Sequence, residues 1–471
     1  MNTFSILKRD ERGGAMVETA FALPILIIMI WMIAQLGLAF RAMAGIQHAL
    51  GAMRSDAASG VPEAAFKLAM SLVTQGNVEE ALGWHARAAE AGHVGAQVQV
   101  ARMLLYGIAG DADPHRAVEW LLRAETAGSV AAGYLLAMIG LGGIALPRDG
   151  LINTRVLAAV QADFVPAIRA AAIHFGRRNN DADQALCLQL LGRGSNLGDV
   201  VAAQLLVERL MHGEGCEPQP AAARQLAAQL KAHGAAALPA ISAAIPPVIL
   251  PLRESGRVAP GTLALEDALQ VPTTVVMARR PQVMRIDKLL SADECRLLVA
   301  CAQPGRRRPG AVDPVTGGAR TMPLRTGSET RFDPTDEDVA LRVVQLRMAR
   351  AARVELVQAE PLVVLHYAPG EEYRPHRDYL PPDAVDSDRP QAGNRSRTIC
   401  TYLNHVEGGG ETVFPRADMS VTPVPGCAVV FDNLFTDGRP DPDSLHAGMP
   451  VTGGEKWLAT LWLRERRYRD Y

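Results

Sequence analysis

Four residues near the C-terminus carry side chains able to do chemistry together. His376 and Asp378 lie in Tyr-Arg-Pro-His-Arg-Asp-Tyr, and His446 and Lys456 in Ser-Leu-His-Ala-Gly-Met-Pro-Val-Thr-Gly-Gly-Glu-Lys-Trp. Two neutral imidazoles and one carboxylate can fill one face of an octahedral ion and leave three positions open, which is the ligand set of non-heme Fe(II) oxygenases. Lys456, ten residues beyond His446, is a compact three-donor cation that can hold the far carboxylate of a chelating cosubstrate such as 2-oxoglutarate. A lone His-x-Asp usually means nothing more than a polar strand or loop. On a strand, however, residues i and i+2 share a face, so His376 and Asp378 can converge on one ion. His446 must then arrive from a second strand. Its competing reading is a loop histidine after the acidic run 437–443.

The elements that would position these groups read as strands bounded by turns. Residues 361–367, 398–403, 428–431 and 458–463 are apolar or alternating, and 336–357 reads as a supporting helix. This pattern suits a double-stranded β-helix, a jelly-roll form. The charged loop 381–394 follows the metal pair and reads either as a substrate lid or as a surface loop.

Several strings then occur in a specific order. Ile-Asp-Lys-Leu-Leu-Ser-Ala-Asp-Glu-Cys occupies 286–295, with a helix expected from Ser291. Tyr-Ala-Pro-Gly-Glu-Glu-Tyr occupies 367–373, Arg-Ser-Arg-Thr-Ile-Cys-Thr-Tyr-Leu-Asn 395–404, and Gly-Gly-Gly-Glu-Thr-Val-Phe-Pro 408–415. Gly-Glu-Lys-Trp at 454–457 comes last, followed by Thr460 and Trp462. On these strings the region 281–466 resembles the catalytic domain of prolyl 4-hydroxylases, of the Fe(II)/2-oxoglutarate dioxygenase superfamily. The resemblance implies that His376, Asp378 and His446 ligate iron and that Lys456 pairs with the distal carboxylate of 2-oxoglutarate. It also implies that Tyr402 and Tyr367 hydrogen-bond the cosubstrate, with Thr398 assisting, although either tyrosine would serve equally as core. Thr460 and Trp462 resemble positions that orient the ligands, with strand packing as the other reading. His366 should face the opposite side of its strand. The family's Arg-Thr-Ser string stands here as Arg325-Thr326-Gly327-Ser328, a departure on the substrate side. The implied reaction consumes O2, hydroxylates an unactivated C–H, that of a prolyl residue in a peptide or protein, and releases succinate and CO2, with ascorbate as an accessory. Asp378 argues against a halogenase, which needs the carboxylate position vacated.

The rest of the chain is longer than the catalytic region. At 471 residues it should hold two or three domains. A net charge of −2 gives no sign of a nucleic-acid partner. The six cysteines include no Cys-x-x-Cys pair, so neither zinc nor a disulfide framework is indicated. Ala91-Gly92-His93-Val94, Ala127-Gly128-Ser129-Val130, Ala162-Asp163-Phe164-Val165 and Leu197-Gly198-Asp199-Val200 recur every 35 or 36 residues, and His233-Gly234 extends the series. This period, between Ala/Leu-rich helical segments, predicts a helix-turn-helix solenoid. It resembles Sel-one-like and tetratricopeptide repeats, which would either dock a peptide or protein or simply buttress the oxygenase. The prolines of 241–281 predict a linker.

Residues 19–40 are apolar and long enough to cross a bilayer. Lys8, Arg9 and Arg12 precede them, which predicts a cytoplasmic N-terminus. The segment 12–18 resembles a prepilin leader of the TadE-like type. The expected chain is therefore multidomain α + β. It has a leader at 1–18, a transmembrane helix at 19–41, a connector at 42–62, repeats at 63–240, a linker at 241–281, the oxygenase at 282–466 and a tail at 467–471. Such a chain is a single-pass membrane protein, or a cytoplasmic one if it starts at Met53. The other functional reading is a membrane-anchored scaffold whose repeats bind a partner beside an incidental or inactive oxygenase. The intact ligand set and Lys456 favour the enzyme.

Overall fold

The computed structural model describes residues 51–239, 241, 259–308, 310–312, 319–321 and 324–471. The expected leader and membrane helix, with residues 42–50 of the expected connector, lie outside these. Among the described residues no single helix is long and apolar enough to cross a membrane. The chain divides into two compact units, Met1–Val100 and Ala101–Tyr471.

The helical part runs in pairs. These are α1 (Pro62–Thr74) and α2 (Val78–Glu90), α3 (Val94–Tyr106) and α4 (Pro114–Thr126), and α5 (Val130–Gly142) and α6 (Ile152–Gln161), followed by α7 (Val165–Gly176) and α8 (Asp181–Asn196), and α9 (Val200–His212) and α10 (Pro220–Ala232). Starts are set locally. Proline opens α1, α4 and α10, where its missing N–H costs nothing. Asp113, Ser129, Asn180 and Asp199 accept from first-turn amides. The second helix of each pair ends in the same turn. The N–H two residues past the cap reaches back to the carbonyl five positions before it, as in His93 to Ala88, Ser129 to Ala124, Asp199 to Gly194 and Ala235 to Leu230, all at 2.9–3.0 Å. Gly92, Gly128, Gly198 and Gly234 supply the left-handed residue at φ +83° to +89°. In the third copy Asp163 takes that place at φ 58°, and Phe164 still bonds to Ala159 at 3.0 Å. The period therefore survives where the glycine does not.

In the first unit α1 buries Ala65, Leu68, Ala69 and Leu72, α2 buries Ala81, Ala88 and Ala89, and Phe66 stacks on His93 at 4.4 Å.

The second unit continues the helical pairs into a β-rich region. Its strands are β1 (Thr274–Arg279), β2 (Gln282–Ile286), β3 (Gly310–Val312), β4 (Ala319–Thr321), β5 (Ser328–Arg331), β6 (Val363–Tyr367), β7 (Tyr373–His376) and β8 (Arg395–Tyr402). They continue with β9 (Gly408–Gly409), β10 (Thr412–Phe414), β11 (Met419–Val421), β12 (Ala428–Asp432), β13 (His446–Gly448), β14 (Val451–Gly453) and β15 (Lys456–Arg464). Seven of them form an antiparallel sheet in the order β1-β2-β12-β8-β15-β6-β5, and four form a smaller one, β11-β10-β13-β7. Alternation along the strands assigns the faces. From β15, Leu458 and Trp462 join Leu365, Tyr402, Phe414 and Phe431 in the core between the two sheets. Trp457, Ala459, Leu461 and Leu463 point the other way, into a core shared with the helices.

That second core unites the repeats with the β-rich region. Helices α11 (Ala292–Ala302) and α12 (Val339–Ala351) contact α7 and α9, and α5 and α7, respectively. Buried charges join them. Glu294 receives both Nη groups of Arg347 at 2.8 and 2.7 Å and also pairs with Arg177, just past α7. Arg209 on α9 donates to Asp293, Arg296 pairs with Glu214 at 2.6 Å, and Arg169 bridges Asp199 and Asp338 at 2.8 Å each. Gly176 lies where any Cβ would overlap Asp293 and Arg209, so only glycine lets α7 end there.

Three sequence expectations change. The supporting helix is shorter than 336–357, because Asp338 caps it by accepting from Leu341 N at 2.9 Å and Arg353 turns left-handed at φ 58°. The linker 241–281 does not reach 281. Its C-terminal half packs Leu263, Leu265 and Leu269 into the shared core and supplies β1, because the prolines exclude long helices but not a strand or one short turn. The loop 381–394 contains a helix, α13 (Pro382–Ser387), and is tied to β15 by Arg464, which donates to Asp388 at 2.6 Å and to Gly393 O at 2.8 Å. The helix expected from Ser291 starts there, with a capping box between Ser291 and Glu294, and all six cysteines are free.

Candidate active site

The three candidate metal ligands arrive from the two paired strands at the end of the smaller sheet. His376 closes β7 and His446 opens β13, and the two are register partners. Asp378 follows two residues after His376. All three are buried, at 8 %, 5 % and 5 % exposure for His376, Asp378 and His446. One ligand atom from each lies within 4.8 Å of the others. Asp378 Oδ1 is 3.6 Å from His376 Nε2, and Oδ2 is 3.7 Å from His446 Nε2. Donors about 2.1 Å from a divalent ion and at right angles stand about 3 Å apart, so a small contraction closes these gaps on one ion.

Local hydrogen bonds set the tautomers. His376 Nδ1 lies 2.8 Å from Arg374 O, and His446 Nδ1 2.9 Å from Ser444 O. A carbonyl only accepts, so each Nδ1 carries the proton and each Nε2 lone pair faces the centre. Burial pushes the His446 imidazole down to about 4, which leaves it neutral, as a ligand must be. Burial also opposes charge on Asp378, but the facing His446 and His376 outweigh it and hold the carboxyl well below the ordinary range. Tyr373 stacks on His376 with ring centroids 3.4 Å apart.

The same cavity ends at Lys456, the first residue of β15 and the register partner of Tyr367. The residue is 2 % exposed, and its ammonium donates to Gly410 O at 2.6 Å. It lies 5.6 Å from the Tyr367 ring centre and 5.5 Å from that of Tyr402. Burial pushes it down to about 8. Among the described residues no carboxylate pairs with it, so a buried cation with one acceptor faces a cavity that a carboxylate would complete. Gly448 borders this space, and a Cβ there would stand 3.6 Å from Lys456 Nζ. The residues thus fit an iron with a chelating dicarboxylate: three convergent donors, then a pocket with a lone buried cation at its far end.

The expected residues divide. His376, Asp378, His446, Lys456, Tyr367, Thr460 and Trp462 all line one cavity. Thr398 does something different from the expected cosubstrate contact: its hydroxyl donates to Asp378 Oδ2 at 2.8 Å, and it accepts from Asn433 Nδ2 at 2.9 Å. Tyr402 also departs, since its hydroxyl lies 2.6 Å from Thr412 Oγ1 and 3.3 Å from Val421 O. Both hydroxyl protons are therefore committed within the protein. His366 points away, as expected, with Nε2 2.7 Å from Glu455. Thr412, Tyr373 and Gly448 line the cavity without having been singled out. Thr412 shares the buried face of β10 with Phe414, with Val413 between them on the other face, and that period-two pattern is the signal that would have found it. Behind the cavity Arg395 lies 4.2 Å over the Trp462 ring and pairs with Glu360 at 2.6 Å.

Comparison with known proteins agrees with this geometry. Residues 362–464 match the 2OG-Fe(II) oxygenase superfamily, and 62–93 and 94–129 match the Sel1 repeat. A probable prolyl 4-hydroxylase 3 of Arabidopsis thaliana is 33 % identical over 216 residues, covering 42 % of this chain and 74 % of that protein. The prolyl 4-hydroxylase subunit alpha-1 of Mus musculus is 34 % identical over 188 residues, covering 40 % of this chain and 35 % of that one. Among solved structures, the viral collagen prolyl hydroxylase of Paramecium Bursaria Chlorella virus-1 is 27 % identical, with a TM-score of 0.30, covering 39 % of this chain and 95 % of that one. Through its C-terminal region this chain belongs to the prolyl 4-hydroxylase family of Fe(II)- and 2-oxoglutarate-dependent oxygenases.

Proposed function

We propose that this chain hydroxylates a prolyl residue in a peptide or protein, using Fe(II), 2-oxoglutarate and O2 and releasing succinate and CO2. The observation that carries the reading is one cavity with three converging Nε2 and carboxylate donors at one end and the unpaired Lys456 ammonium at the other. Iron bound there, chelated by the cosubstrate, supplies the oxygen activation that no side chain can.

The protein's own groups bind and orient. His376, Asp378 and His446 hold the metal, and their Nδ1–H bonds keep the lone pairs aimed inward. Thr398, itself held by Asn433, takes up Asp378 Oδ2 and leaves Oδ1 as the freer ligand oxygen. Lys456 anchors the distal carboxylate, with the Tyr367 phenol and Thr412 alongside. The Tyr402 ring backs the ammonium while its hydroxyl positions Thr412. Gly448 keeps the space clear. Trp462, whose buried Nε1 has no partner among the described residues, walls the metal end with Thr460. The two facing sheets support the double-stranded β-helix reading. The prolyl substrate rests on the relatives' names, and ascorbate belongs to the same reading as the reductant that keeps iron ferrous.

In this reading the repeats serve peptide or protein recognition, as such arrays do. The apolar run at 19–41, flanked by Lys8, Arg9 and Arg12, tethers the chain to a membrane, and a native start at Met53 would make it cytoplasmic. The scaffold reading has no observation in its favour beyond the repeats. Anaerobic Fe(II) titration of the full chain with 2-oxoglutarate tests the enzyme. The expected results are a weak visible charge-transfer band and, on admitting oxygen, succinate release that disappears in His376→Ala. A folded protein with no band and no succinate would overturn the reading.

A further inference from the structure

Away from the cavity, a groove of about 690 Å3 separates the last helix pair from the oxygenase, a size within the usual range of ligand sites, about 300–1,000 Å3. Val200 and Val201, opening α9, form its repeat side, and Phe332 and Leu341 its oxygenase side. Val200 is 48 % exposed. Arg307 and Arg331 line it, and neither side chain has an ion-pair or hydrogen-bond partner among the described residues. One carboxylate, Asp336, also lines it, and it forms no ion pair with either arginine.

The backbone adds a second observation. β5 is the outermost strand of the large sheet. Arg307 and Glu329 exchange both backbone hydrogen bonds, at 2.9 and 2.7 Å, so the amide and carbonyl of Glu329 point away from β6. Phe332 N bonds inward to Leu362 O at 2.9 Å. By the strict alternation of an antiparallel ladder, the N–H and C=O of Arg331 also point outward. Nothing among the described residues pairs with them. An open strand edge, an apolar wall and two unpaired cations thus face one groove.

We infer that this groove docks an extended acidic–apolar segment of the protein substrate, pairing its backbone with Arg331, its apolar side chains with Val200 and Phe332, and its carboxylates with Arg307 and Arg331. That the segment belongs to the substrate rests on the proposed function; the docking itself does not.

The test uses fluorescein-labelled peptides of alternating Glu and Val, and of alternating Lys and Val, read by anisotropy on the full chain. The Glu peptide should bind and should weaken with added salt. The double variant Arg307→Glu/Arg331→Glu should lose at least about tenfold in affinity for it and gain affinity for the Lys peptide. Val200→Asp, at an exposed position where folding is safe, should also weaken the Glu peptide. Succinate release without prolyl substrate should be unchanged in these variants. Equal binding of both peptides, or binding indifferent to the variants, overturns the inference. So does a change in the protein's own oligomeric state on Arg331→Glu, which would give the groove to a second copy. Absence of succinate from the unmodified chain would instead overturn the proposed function and leave the peptide result standing.

Discussion

Glu294 lies at the centre of the join between repeats and oxygenase, and replacing it by Gln should be costly despite the matched shape. The carboxylate is 1 % exposed and faces two guanidiniums, Arg347 through both Nη groups and Arg177. It also accepts from Ser291 N at 2.8 Å in the capping box. Burial alone would raise its pKa, but Arg177 and Arg347 outweigh it and hold the carboxyl down to about 2. Against an ordinary value of about 4.3, this corresponds to about 3 kcal/mol of stability at neutral pH. Direct experience with broken buried ion pairs, about 3–5 kcal/mol, agrees. Because the folded pKa is depressed, this contribution is present above the unfolded pKa and is lost as pH falls toward the folded one. The difference between the native chain and Glu294→Gln should therefore shrink to about 1 kcal/mol near pH 3. Arg177→Met should behave differently. It leaves the two-pronged Arg347 pair intact and removes a guanidinium that burial and Arg347 together push down to about 10, so its cost should be under about 1.5 kcal/mol. Urea unfolding of the full chain, followed by circular dichroism and tryptophan fluorescence, measures both. Equal losses in the two variants, or a loss below about 1 kcal/mol for Glu294→Gln at pH 7, would refute the assignment of Glu294 as the shared anion.

Cosubstrate affinity should fall as pH rises through about 8, where the free-site Lys456 loses its proton, and calorimetric Kd values for 2-oxoglutarate across pH 7 to 9.5 would show it; a flat profile would deny Lys456 the anchoring role. Thr398→Val should weaken metal binding about 10–100-fold while sparing 2-oxoglutarate affinity at saturating metal, since the lost hydroxyl orients Asp378; loss of cosubstrate affinity instead would return Thr398 to the cosubstrate. Gly448→Val should do the reverse, raising the KM for 2-oxoglutarate at least about tenfold with metal affinity kept, because its side chain would enter the space beside Lys456.

What was legible in the sequence follows from what each feature depends on. His376, Asp378, His446 and Lys456 are few, chemically specific and locally spaced, so their types and order were enough. The helical pairs were legible because each turn is a local structure, and even the copy with Asp163 keeps the period. Thr398 and Tyr402 were placed in the right region, but their partners within the protein were not legible. Which hydroxyl meets Asp378 and which meets Thr412 depends on how the two sheets face each other, and that is set by packing at a distance. The join between repeats and oxygenase was not legible for the same reason. Arg177 and Glu294 are 117 positions apart, and nothing in either neighbourhood distinguishes a buried charge from a solvated one. The linker was misjudged because proline counts report where long helices cannot form, while Leu263, Leu265 and Leu269 are buried by partners elsewhere in the chain.

The last strand has a consequence for how this site can vary. β15 places Lys456, Leu458, Thr460 and Trp462 on the cavity side and Trp457, Ala459, Leu461 and Leu463 on the helical side. At about 3.3 Å per residue, it lays out about 13 Å from Lys456 to Thr460 and about 20 Å to Trp462. The strand thus acts as a ruler, with the carboxylate anchor at one mark and the wall of the metal end at another. Deleting or inserting one residue within it would not merely shorten or lengthen the pocket. It would turn every following mark to the opposite face and take Trp462 out of the cavity into the helical core. Cosubstrate length can therefore be retuned only in two-residue steps along this strand, or by changing what faces it across the cavity.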